Sequence, residues 1–216
     1  MSVILFIISI LLLIFGGLVV NEIKFRITRK KNPVPASAKS GQFFDSKLRK
    51  FLQPPKYIIN RSGIKKGMTI LDLGCGSGAY ITDAAKLVGK HGTVYGTDLQ
   101  DEMLSQLKRK LEKDEYRSIK NIKITKADAS NLPFKPLMFD LVYLIDVLQE
   151  IPDRDKALSE IFKVLKHGGI LAITEYFMDP DFVFKSKTIQ ICEKAGFKTQ
   201  KSYGGILHYT VQFIKK

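Results

Sequence analysis

The sequence predicts an α/β protein: a mostly parallel, doubly wound sheet of seven strands ending in an antiparallel hairpin, preceded by one transmembrane helix. Three observations carry this expectation. Val3 to Val20 is an apolar run of eighteen residues without a charge. From Gly67 onward, short β-rich apolar runs alternate with segments of helical spacing, the pattern that builds βαβ units. The last two runs lie too close together for a crossover helix, so they pair as a hairpin.

At ~1.5 Å per residue the N-terminal run spans roughly 27 Å, close to the thickness of a hydrocarbon core. Only Met1-Ser2 precedes it. A cleaved secretory signal carries basic residues there and a small-x-small cleavage site, which Leu18-Val19-Val20-Asn21 does not supply. Lys24, Arg26, Arg29, Lys30 and Lys31 follow the run. The positive-inside rule therefore puts the rest of the chain in the cytoplasm, as a single-pass membrane protein. The expected organisation is an anchor helix over 1–22, a basic juxtamembrane linker over 23–44 and one globular domain over 45–216.

The formal net charge of +14 is concentrated in one place. Between Asn21 and Lys66 thirteen Lys and Arg face only Glu22 and Asp45, while residues 67–216 carry +3. Segment 24–66 is expected to lie along an anionic lipid surface. Nucleic acid is the rival partner, because Phe43 and Phe44 interleave with the cations; the adjoining span favours lipid. Pro33, Pro35, Pro54 and Pro55 punctuate the segment, which predicts linker plus one short helix near Asp45–Leu52. Cys75 and Cys192 have neither disulfide-framework numbers nor metal-ligand spacing, so no metal is expected.

Taken in order, the domain opens with a continuous apolar strand over Met68–Leu73. A helix follows over Tyr80–Val88, with Ile81, Ala84, Ala85 and Val88 on one face. A second strand is expected over Thr93–Thr97 and a second helix over Met103–Lys113, led by Met103, Leu104, Leu107 and Leu111. Ile122–Lys126 and Phe139–Ile145 are the third and fourth strands. Asp155–Leu165 is amphipathic, Gly169–Thr174 is the fifth strand, and Thr188–Ala195 is a helix stopped by Gly196. Phe197–Tyr203 and Tyr209–Lys215 pair around Gly204-Gly205.

Ligands of such sheets bind beyond the C-terminal strand ends, where the strand order reverses. The first strand ends in Asp72, and Gly74-Cys75-Gly76-Ser77-Gly78 opens the first helix. Alternate glycines let backbone approach a ligand closely and present N–H groups at a helix start. Asp98 ends the second strand, where a carboxylate accepts both hydroxyls of a ribose. Asp128 follows the third, within reach of an exocyclic amine. Gly74, Gly76 and Ala79 also satisfy a dinucleotide fingerprint, a weak match by itself. Asp72 inside the strand end, Gly78 and Asp128 set this turn apart from that fingerprint.

Ile70-Leu71-Asp72-Leu73-Gly74-Cys75-Gly76-Ser77-Gly78 resembles motif I of class I S-adenosylmethionine-dependent methyltransferases, whose sheet is Rossmann-like. Val94-Tyr95-Gly96-Thr97-Asp98 resembles their second-strand motif, and Ala127 to Phe134 their adenine-contacting segment. Phe139-Asp140-Leu141-Val142 with Val147 to Asp153 resembles the fourth-strand motif, and Leu165 to Leu171 the turn into strand five. The pattern is most similar to the ubiquinone/menaquinone-biosynthesis type. The resemblance implies S-adenosylmethionine as cofactor, with Asp72, Gly74, Gly76 and Gly78 around its methionine part. It implies Asp98 on the ribose, Leu99 and Met103 against the adenine, Asp128 on the adenine amine and Ala129 beside it. Ile145 and Asp146 would sit by the sulfonium, facing the acceptor.

Many small-molecule relatives carry histidines where this chain has Gln149-Glu150. That removes a histidine base and leaves the catalytic assignment open, with Glu150 and Asp146 as candidates. Tyr143, Glu175, Tyr176, His208 and Tyr209 fall at or beyond strand ends, where packing or hairpin pairing is the first expectation and shaping the acceptor pocket the second. The expected function is methyl transfer to a small, lipid-like acceptor at the cytoplasmic membrane face. The alternatives are a catalytically silent membrane-bound adaptor and an NAD-dependent oxidoreductase.

Overall fold

The computed structural model of the protein describes residues 2–41 and 46–216. Phe43, Phe44 and Asp45, and with them the expected linker–domain boundary, lie outside the described residues. Seven strands form one sheet: β1 (Thr69–Leu73), β2 (Thr93–Asp98), β3 (Ile122–Lys126), β4 (Phe139–Ile145), β5 (Leu165–Tyr176), β6 (Phe197–Gly204) and β7 (His208–Lys215). Their spatial order is β3-β2-β1-β4-β5-β7-β6, with β1 to β5 parallel and β7 antiparallel to both neighbours. The order reverses between β1 and β4, and that point fixes where a ligand cleft opens.

The central strands read as unbroken apolar runs because both faces of the sheet are covered. On one face Ile70, Val94 and Leu141 pack with residues of α3 (Pro55–Arg61), α4 (Ile81–Val88) and α5 (Asp101–Leu111). On the other, Leu71, Val142 and Phe213 pack with α6 (Arg154–Val164) and α7 (Lys185–Lys194). Asp153 caps α6, its side chain accepting from Lys156 N–H at 3.0 Å, as a helix start requires.

The first helix, α1 (Ser2–Lys31), departs from the expected anchor by running on past residue 22. An i,i+4 ion pair supports the extension, with Arg26 Nε 2.7 Å from Glu22 Oε1 one turn back. The basic last turn complements the helix dipole, and Pro33 shortly beyond it marks the exit into extended chain. The span itself has a mean hydropathy of 3.2 and is wholly unburied, so it is long and apolar enough to cross a membrane. Two short helices, α2 (Lys47–Leu52) and α3, follow where one was expected. Pro55 is the first residue of α3, a position where its missing N–H costs nothing. Sequence punctuation could not show that α3 buries Ile58 and Ile59 against the sheet.

Candidate functional site

The turn after β1 is built by backbone geometry. Gly74 and Cys75 donate N–H bonds to Thr97 O on β2, at 2.8 and 2.9 Å, which pins the loop across the sheet end. Gly74 has φ +77°, and a Cβ there would sit 2.6 Å from the Val147 side chain. Gly76 has φ +52°, but its Cβ would meet nothing nearer than Met103 Sδ at 3.9 Å. One glycine is thus required by packing, the other lies open to the cleft.

Asp98, ending β2, holds that turn. Its Oδ2 accepts Gly76 N–H and its Oδ1 accepts Gln100 N–H, each at 2.9 Å. Burial pushes its carboxyl up, and these N–H bonds oppose the shift. Asp72 lies deeper, 4% exposed. Its carboxyl is raised to about 7, chiefly by burial, with the Tyr143 hydroxyl favouring the ionised form and the charge of Asp98 opposing it.

Asp72, Gly74, Gly76, Asp98, Leu99, Met103, Asp128, Ala129, Ile145, Asp146 and Glu150 all line one cleft beyond the strand ends. Gly78 does not. It has φ +87°, and a Cβ there would meet Leu107 Cδ1 at 2.4 Å, so it seats the turn against α5 instead of facing the cleft. Asp128 is exposed and accepts Ser130 N–H at 2.8 Å. Tyr143, Glu175, Tyr176, His208 and Tyr209 are absent from the lining. Tyr143, Glu175 and Tyr209 are fully buried, Tyr209 donating to Val183 O at 2.7 Å. Tyr176 supports the cleft through its backbone N–H on Asp146, and His208 stacks near Tyr57 outside it.

Residues from the basic segment supply what the sequence reading missed. Arg49 of α2 places Nη2 2.8 Å from Asp146 Oδ2, and Gln53 Nε2 donates to the same oxygen at 3.2 Å. Tyr80 donates to Gln53 Oε1 at 2.6 Å. Asp146 adopts φ +55° at the end of β4, a conformation that persists only where surroundings enforce it. Burial raises its carboxyl to about 7, against the pull of Arg49. Glu150 Oε2 accepts Ala36 N–H at 3.0 Å, with Arg29 Nη2 3.6 Å from its other oxygen. Burial lifts it to about 8.

Pro35 and Ala36 themselves line the cleft. This strap is tied down by Gln100 Nε2 on Ala36 O at 2.7 Å, Gln106 Nε2 on Ala38 O at 2.9 Å and Ser77 Oγ on Gly41 O at 2.9 Å. Part of the basic segment is therefore spent inside the protein: Arg29 grips Asp181 and Arg49 grips Asp146. Their partners lie far away in sequence, so only charge, and no spacing, signalled them.

The arrangement has a definite chemistry. Buried carboxylates at Asp72 and Asp146 suit a cation, Asp98 suits vicinal hydroxyls, and Leu99, Met103 and Ala129 offer an apolar slot for a flat ring. Those are the parts of S-adenosylmethionine, and the Cβ-free face of Gly76 leaves room for it.

Comparison with known proteins agrees. The methyltransferase domain family matches residues 64–210. The ubiquinone/menaquinone biosynthesis C-methyltransferase of Edwardsiella ictaluri is 36% identical over 132 residues, covering 61% of this chain and 51% of that protein. Its counterpart in Psychromonas ingrahamii is 35% identical over 121 residues, covering 56% and 47%. The chain thus spans about half the length of the curated relatives it matches. A SAM-dependent methyltransferase of Aquifex aeolicus superposes with a TM-score of 0.77 at 24% identity, over 84% of this chain and all of that one. At that identity the likeness shows the fold.

Proposed function

The chain belongs to the methyltransferase domain family, and on that footing we propose that it moves the methyl group of S-adenosylmethionine to a small, lipophilic acceptor at the cytoplasmic face of a membrane. The observation that carries the reading is the single cleft in which Asp72, Asp98, Asp128 and Asp146 converge at the sheet's switch point. The apolar span of α1, which continues as one helix to Arg29 beside the cleft, supports the membrane location.

Bound in the cleft, S-adenosylmethionine supplies an electrophilic methyl on a cationic sulfonium. Asp72 and the Gly74–Gly76 turn would hold the methionine part, Asp98 the ribose, and Leu99, Met103, Asp128 and Ala129 the adenine, leaving Ile145 and Asp146 on the acceptor side. Asp146 is fixed by Arg49, Gln53 and Tyr176 N–H, so it acts by position and charge. Aligning donor and acceptor supplies most of the acceleration in such a displacement. Where the acceptor must lose a proton, Glu150, raised to about 8 and lining the same cleft, is the group placed to take it.

The test is methyl transfer from labelled cofactor by the full chain in vesicles doped with a membrane lipid and quinone extract. Label in the organic phase is the expected result. Label confined to water-soluble acceptors overturns the lipophilic acceptor.

A further inference from the structure

One surface of the domain is apolar where its contact with α1 begins. Met178, Ile206 and Leu207 are 66%, 74% and 63% exposed, and Phe184 58%. They belong to two loops that touch: Phe177 N–H donates to Leu207 O at 2.8 Å. Phe177 packs edge-on against Phe182 at 5.5 Å, and Phe182 against Phe184 at 5.6 Å. The exposed apolar residues are therefore gathered on two adjoining loops and are not scattered exceptions. Its surroundings are cationic, with Arg26, Lys30, Lys185 and Lys187 nearby. Of the two acidic residues in this loop, part-buried Asp179 lines the cleft and Asp181 is buried and held by Arg29.

The face has a fixed place relative to α1. Arg26 donates to the carbonyls of Phe177 and Asp179, at 3.2 and 3.1 Å, and its guanidinium lies 5.3 Å from the Phe177 ring centre. Arg26 stands six residues beyond Val20, ~9 Å along the helix from the end of the apolar span. Headgroup regions add about 5–7 Å on each side of the hydrocarbon core, so Arg26 stands near their outer edge. An apolar surface with a cationic rim at that depth matches the chemistry of a bilayer interface.

We infer that the face formed by Phe177-Met178, Phe184 and Ile206-Leu207 docks into the bilayer interface, so that the domain lies flat on the membrane that α1 crosses. The inference rests on the reading of α1 as a membrane span and deepens it. It turns a tether into a fixed orientation. Asp179, next to Met178, lines the cleft, so docking sets the cleft rim against the lipid and gives a lipophilic acceptor a dry route inward.

The native cysteines are buried, so a surface cysteine takes an environment-sensitive fluorophore selectively. We would label the full chain singly at L12C in the span, at M178C and L207C on the face, and at K198C near the far end of β6. Each is placed in mixed phosphatidylcholine–phosphatidylglycerol vesicles carrying either headgroup-level nitroxide lipid or an aqueous quencher. Blue-shifted emission at 178 and 207, quenched by the nitroxide lipid, with 198 quenched only from water, is the expected result. If 12 is embedded while 178 and 207 behave like 198, the docking is wrong and the span stands. Protection at 178 and 207 without lipid quenching overturns it in favour of a protein contact. If 12 itself lies in water, the span reading fails and the docking with it.

Discussion

Arg49 Nη2 lies 2.8 Å from Asp146 Oδ2, joining the short helix α2 to the end of β4 across ninety-seven positions of sequence. The pair locks the N-terminal segment onto the cleft. Its guanidinium is 17% exposed and the carboxylate 5%, so removing one partner strands the other in low dielectric. We expect Arg49→Ala to destabilise the fold by about 2 kcal/mol, less than the loss from a wholly buried pair, because Asp146 can take up a proton. Thermal denaturation of the variant checks this, and Asp146→Asn in the same background should add little.

Cofactor affinity should depend on pH through Asp72. Its carboxyl sits at about 7 when the cleft holds no cation, and a bound cation favours the ionised form. Binding therefore releases a proton near neutrality and tightens as pH rises through 7, levelling off above. Calorimetry in buffers of different ionisation enthalpy reads the released proton directly. Asp72→Asn should bind weakly and with a flatter profile.

Stability should run the other way. Asp72, Asp146 and Glu150 are raised to about 7, 7 and 8, and burial also lifts Glu175, whose two oxygens have no hydrogen-bond partner among the described residues. Between about pH 4.5 and 8 the folded chain keeps protons that the unfolded chain gives up, so stability falls as pH rises through that window. The melting temperature followed across the range checks the sign. Glu175→Gln should raise it at pH about 8, by the equivalent of about 1–3 kcal/mol, since the amide carries no charge to bury.

Two glycines of the cleft turn should separate folding from binding. Gly74→Ala forces a methyl to within 2.6 Å of Val147 at a positive φ and should cost about 2–4 kcal/mol. Gly76→Ala points into open cleft, costs about 1 kcal/mol of backbone strain, and should lose cofactor binding while remaining folded. Melting curves with and without S-adenosylmethionine distinguish the two.

These residues also show how far the sequence carries. The strand–helix alternation, the antiparallel end and the spacing from Asp72 to Asp98 to Asp128 are local patterns, and each is readable from neighbours in the chain. Gly78 looked like its companions because sequence records only that a glycine is present, not which neighbour its missing Cβ would strike. Arg29, Arg49 and the Pro35–Ala36 strap fall in the segment that sequence alone assigns to lipid, because their partners, Asp181, Asp146 and Gln100, come together only through tertiary folding. Glu175 and Tyr209 fall at strand ends, where packing or hairpin pairing competes with a pocket role, and the antiparallel pairing of β5 with β7 decides for packing by burying both.

The most direct test of the central claim is calorimetric titration of the full chain with S-adenosylmethionine, alongside Asp98→Ala. Saturable binding to the parent chain and a loss of at least about tenfold in the folded variant is the predicted result, because Asp98 would hold both the ribose and the Gly76 turn. Absence of binding to the folded parent chain, or undiminished binding after Asp98→Ala, would contradict it.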